Sequence, residues 1–67
     1  MVDDPDIWRA ANLLMERHGT DAPMIAGKRA LDLLAEGDVE GGLMWQRILI
    51  AVSELGRTKV AKHERVN

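Results

Sequence analysis

The stretch DVEGGLMWQRILIAVSEL, residues 38–55, decides the fold. It contains no proline and keeps one apolar pattern throughout. At about 100° per residue, Met44, Trp45, Ile48, Leu49, Ala51, Val52 and Leu55 share an arc about 160° wide. Arg47 and Glu54 lie on the other side, so the stretch predicts an amphipathic helix over 39–55. Asp38 follows Gly37 and reads as its N-cap, directly after the glycine stop of a preceding helix. Glu40 suits the positive end of the helix dipole. Gly41 and Gly42 weaken the first turn by about 1 kcal/mol each relative to alanine. A pair of glycines there implies a frayed start or a place where another backbone comes close. Gly56 is the expected stop. Leu43 and Ile50 do not fit the arc. They are nearly aligned beside Arg47, on the side expected to be polar, and hint at a second contact surface.

Upstream, Asp4 followed by Pro5 is an acidic N-cap with proline at the first helical position. Ile7, Trp8, Ala10, Ala11, Leu14, Met15 and His18 then share one face, and Arg9, Asn12 and Glu16 the other; Leu13 falls off the apolar arc. Gly19 is the expected end of this first helix. A second begins at Thr20 or Asp21, because Pro23 is tolerated only in a first turn. Its stripe is Ala22, Ile25, Ala26, Ala30, Leu33 and Leu34, and the alanines let a neighbouring helix approach closely. The stem of Arg29 can lie along that stripe with its charge kept wet. Met24 and Leu31 form another aligned pair on the far side. Gly37 stops the helix.

The expectation is therefore an all-α chain. Residues 1–56 form a three-helix up-down-up bundle, with helices near 5–18, 21–36 and 39–55 and short loops. Residues 57–67, RTKVAKHERVN, lack a sustained pattern and read as a flexible basic tail, or as a short helix formed on a partner. The chain has 67 residues, and a domain this small has little core to stabilise it. Small scaffolds add disulfides, a metal or oligomerisation. With no cysteine, disulfides and thiolate metal sites are excluded. The acidic start Met-Val-Asp-Asp-Pro-Asp is unlike a signal peptide, and no run reaches the roughly 18 apolar residues of a membrane span. A cytoplasmic protein without membrane partners is expected.

The frame D-x-x-I-W-R-A-A at 4–11, H-G-x-x-A at 18–22, L-L-A-x-G-D-x-x-G at 33–41 and W-x-R-I at 45–48 resembles small uncharacterised helical proteins of alphaproteobacteria, grouped as a domain of unknown function. The resemblance covers residues 4–55. It implies a bacterial, cytoplasmic setting and transfers no activity.

No catalytic, metal-binding or cofactor-binding constellation is present, so no enzyme activity, metal or cofactor is expected. His18, in a last helical turn, is accounted for by the helix dipole. His63 lies far from it, and nothing resembles H-E-x-x-H. The carboxylates Asp4, Asp6, Asp38 and Glu40 sit at helix starts, where capping explains them. Ser53 is the only serine, so no serine triad is credible. The glycines at 37, 41 and 42 follow a helix and have no lysine after them, which rejects a phosphate loop.

The pattern instead favours a protein-interaction or regulatory module that forms a homodimer or small oligomer or takes an unidentified protein partner. Its candidate interface is Met24, Leu31, Leu43 and Ile50, with Trp8 at the edge of its arc. The alternative is a small nucleic-acid-binding regulator, with helices two and three imitating a helix-turn-helix and Arg57, Lys59, Lys62 and Arg65 of the tail making contacts. Charge opposes it. Residues 1–56 carry five basic and ten acidic side chains, a net charge of −5, whereas the last eleven residues carry +3. Phosphate neutralisation dominates nucleic-acid affinity, and the third helix offers Arg47 alone. The chain also lacks the phenylalanine and tyrosine platforms of single-strand binders.

Overall fold

In the computed structural model the backbone is described for residues 4–66 and the side chains for residues 4–57. Every regular element among them is helical: α1 (Pro5–His18), a single 3-10 turn (Gly19–Asp21), α2 (Ala22–Ala35) and α3 (Val39–Val66).

The start of α1 is capped as its sequence requires. Asp4 is extended (φ −78°, ψ 117°), and its carboxylate accepts from the Asp6 N–H at 2.9 Å. The Asp4 carbonyl takes the Ile7 and Trp8 N–H groups at 3.1 and 3.2 Å. Further along, the Asn12 side-chain amide donates to the Trp8 carbonyl at 3.0 Å.

Gly19 ends α1 at φ 56°, with its N–H on the Met15 carbonyl. No loop follows. The chain passes through the 3-10 turn straight into α2, so residues 5–35 form one bent helical run. Asp21 is helical (φ −82°, ψ −9°) and makes no side-chain cap; the Ala22 N–H instead reaches the Gly19 carbonyl. This corrects the expected short loop at the first junction: a 3-10 turn satisfies the backbone groups that a loop would leave open.

The second junction is a glycine stop. Gly37 is left-handed (φ 88°), its N–H donates to Leu34 at 3.1 Å, and the Asp38 N–H donates to Leu33 at 2.9 Å. These two bonds are a Schellman closure. Asp38 then caps α3, accepting from the Gly41 N–H at 2.9 Å. Gly42 is buried against α2. A Cβ built on it would lie 2.5 Å from Leu34 Cγ and 3.3 Å from the Ala30 carbonyl oxygen. It marks the expected close approach of two backbones.

The expected stop at Gly56 is not made. The glycines with positive φ among the described residues are Gly19 and Gly37, and α3 continues through Gly56 to Val66. The cost of a helical glycine is about 1 kcal/mol, and the residues beyond it include good helix formers (Arg, Lys, Ala) and no proline. Helical backbone thus replaces the expected flexible tail as far as residue 66. At 28 residues α3 is about 42 Å long at about 1.5 Å per residue, close to the 46 Å longest dimension of the molecule.

One small core joins the elements. Ile7 and Ala11 of α1, Ala22 and Ala26 of α2, and Ile48, Ala51 and Val52 of α3 are buried together. Trp8, Leu14, Met15, Trp45, Leu49 and Leu55 pack half-buried around them. Val52 is the largest fully buried side chain, and four of the seven cluster members are alanines. α1 and α2 both lie on α3 and touch each other little. Of the expected α2 stripe, Ile25, Ala30, Leu33 and Leu34 lie outside this cluster though none is exposed, and two members of the expected arcs are exposed. Met44 is 53% exposed at the arc's edge, and His18 is exposed where α1 turns into the bend. No helix among the described residues is long and apolar enough to cross a membrane.

Candidate interaction face

The alanine stripe of α2 and the glycines facing it set how α2 and α3 lie together. Gly42 abuts Leu34 and Ala30, and a Cβ on Gly27 would stand 3.8 Å from Leu49. These contacts, seven residues apart on each helix, place α2 and α3 side by side and antiparallel. They also fix which side of each helix faces the other. On α3, Ala51 and Leu55 lie more than 90° around the helix from Gly42 and Leu49, at about 100° per residue. Ala51 is fully buried, and α1 is what covers that flank.

The opposite flank is uncovered. On α3 it carries Val39, Leu43 and Ile50, which are 57%, 47% and 50% exposed. On α2 the corresponding flank, about 60° past Gly27 and Leu34, carries Met24 and Leu31, 67% and 68% exposed. The two aligned pairs singled out in the sequence therefore come together, on the side of the α2–α3 pair turned away from α1. A patch of about 400 Å² is the size of the largest apolar patch on an ordinary monomer, and such patches are often functional.

Val39 belongs to this face and was missed in the sequence. It stands four residues before Leu43, but its place next to Asp38 hid it among the capping residues. Trp8 does not belong to the face. It is half-buried on α1 and packs on the core cluster. Leu13, 49% exposed, is an isolated apolar residue on the outer side of α1. Trp45 closes the other edge of the α2–α3 pair, with the Arg29 guanidinium 5.2 Å from its ring centre. Of the expected tail contacts, Arg57 is exposed, and the side chains of Lys59, Lys62 and Arg65 lie outside the described residues.

Elsewhere the surface has shallow clefts. One, of about 560 Å³, sits in the bend between Met15, Gly19, Thr20, Pro23, Val52, Ser53 and Gly56. Another follows the outer side of α2 past Lys28, Arg29, Asp32 and Glu36. Among the described residues, no group of three or more histidines and carboxylates could hold a metal ion. No buried side-chain polar atom among them lacks a partner. Comparison with protein-family models, curated proteins and solved structures finds no match.

Proposed function

We propose that this chain is a non-catalytic protein-interaction module that self-associates through the uncovered face of α2 and α3. The observation behind this is the gathering of Met24, Leu31, Val39, Leu43 and Ile50 on the side opposite α1. In this reading α1, α2 and α3 run up, down and up, and a second copy completes the bundle by covering that side. The small alanine-rich core supplies the motive, since a chain of this size gains stability by oligomerisation. The bacterial cytoplasm is the proposed setting. It is supported by the alphaproteobacterial resemblance of residues 4–55 and by the lack of cysteine, which fits a reducing compartment.

The size of the face sets the expected strength. α2 is about 21 Å long, and two helices are about 20 Å wide, giving about 400 Å² per copy in projection. Over two copies that is about 800 Å², below the roughly 1,200 Å² of stable specific interfaces, so only a weak, transient dimer is expected. Light scattering on a size-exclusion column should show a mass rising toward two chains with loading. Leu31→Glu should hold it at one chain; an unchanged rise for Leu31→Glu would reject the face.

The nucleic-acid alternative is favoured less. α2 and α3 lie side by side, whereas a helix-turn-helix crosses steeply. Arg47 is also flanked along α3 by Glu40 and Glu54.

A further inference from the structure

We propose that Gly19 and Pro23 form a conformational lock on the bend between α1 and α2, which keeps α1 on its own α3 and prevents its exchange onto the α3 of a second copy. The lock concerns the α1 flank of α3 and is independent of the uncovered face.

α1 lies on α3 and touches α2 little. Ile7 and Ala11 are buried with Ile48, Ala51 and Val52, and a second copy offers the same partners. Packing therefore brings α1 onto an α3, and the bend decides whose. Side chains do not anchor that bend, since neither His18 nor Asp21 makes a side-chain cap. It is set in the backbone, at two residues. Gly19 has φ 56° and ψ −127°, a conformation that residues with a Cβ rarely adopt. Its carbonyl accepts the Ala22 N–H, a bond of the 3-10 type. In a continuous α-helix that carbonyl would take the N–H of residue 23 instead. Pro23 has no N–H, and its ring would press on the carbonyl four residues back. Gly19 thus permits the bend, and Pro23 opposes the straight helix.

The buried pattern itself suits a straight helix. The buried residues of α1 and α2 are Ile7, Ala11, Ala22, Ala26 and Ala30. With residues 5–35 as one helix, at about 100° per residue, they share an arc about 140° wide. Ala11 and Ala22 differ by only about 20°, so the stripe crosses the bend in phase.

Straightening has a defined consequence. Gly27 lies level with Leu49 and Leu34 with Gly42, which sets Thr20 level with Gly56. A straight α1 would run on past Gly56 and leave the flank of Ile48, Ala51 and Val52 uncovered. Two such chains restore the cover when each lays its α1 on the other's α3 across a two-fold axis. The α1–α3 contacts are the same in both forms, and the forms differ at the bend. Two residues are then enough to choose between them.

The test takes Ile50→Glu as background, so that the uncovered face does not contribute. Adding Gly19→Ala and Pro23→Ala should turn a single-chain species into a two-chain species that keeps its helical circular dichroism and survives dilution to low micromolar concentration. Mixed with a tagged copy, it should trade chains slowly, because α1 must leave α3 first. A double variant that stays single, whether bent or as an extended hairpin, overturns the proposal, and so does a dimer that trades chains as fast as it is mixed. If the double variant does not fold, Pro23→Ala alone decides, because alanine suits the first turn of α2. After refolding from urea at high concentration, its two-chain fraction should exceed that of the background about tenfold. Equal fractions overturn the lock.

Discussion

Gly42 is the residue on which α2 and α3 meet most closely. A methyl group there has no room, with Leu34 Cγ at 2.5 Å and the Ala30 carbonyl behind it at 3.3 Å. Gly56 is the opposite case, helical with nothing within 4 Å of a built Cβ. Gly42→Ala should therefore cost about 1–3 kcal/mol through overpacking, while Gly56→Ala should add about 0.5–1 kcal/mol through helix propensity. Urea unfolding of the two variants should move in opposite directions. A stabilising Gly42→Ala would contradict the close approach. Core residues follow the same logic. Val52 is fully buried, and Val52→Ala should cost roughly 2 kcal/mol. Leu49 is half-buried against Gly27, so Leu49→Ala should fall near the low end of the roughly 2–5 kcal/mol range for leucine truncation. Arg9 and Asp6, 3.6 Å apart and both solvated, should contribute less than about 1 kcal/mol.

At the scale of elements, three glycines that look alike in the sequence behave in three ways. Gly37 closes α2 because Asp38 follows it and starts a new helix, so local chemistry is enough to identify that stop. Gly19 turns the chain through a 3-10 bend without a loop, a choice made by the packing of α1 and α2 on α3. Gly56 does not stop α3 at all, since nothing after it demands a left-handed residue. The periodic faces were legible because burial on a helix repeats every three to four residues. The place of Val39 was not, and Trp8, on the apolar arc of α1, stayed open between core and interface, because each depends on which neighbour covers which flank. Gly37→Ala should cost about 1 kcal/mol by forcing a side chain into the left-handed region. Hydrogen exchange offers a separate check on α3: amides at 57–60 should be protected above coil values if the helix runs through Gly56. Coil-like exchange from residue 57 onward would restore the stop at Gly56.

At the scale of the whole molecule, the alanine-rich core and the uncovered apolar strip belong to one account. The chain does not bury Met24, Leu31, Val39, Leu43 and Ile50 within itself, and the proposed use of that strip is association. Leu13 is the natural control, being as exposed as Ile50 but isolated on α1. The most direct measurement is sedimentation equilibrium on wild type, Ile50→Glu and Leu13→Glu across the micromolar range. The account predicts a monomer–dimer equilibrium for wild type and Leu13→Glu, and a single 7.5 kDa species for Ile50→Glu. A 7.5 kDa wild type at high micromolar concentration, or equal loss of association in both variants, would contradict it.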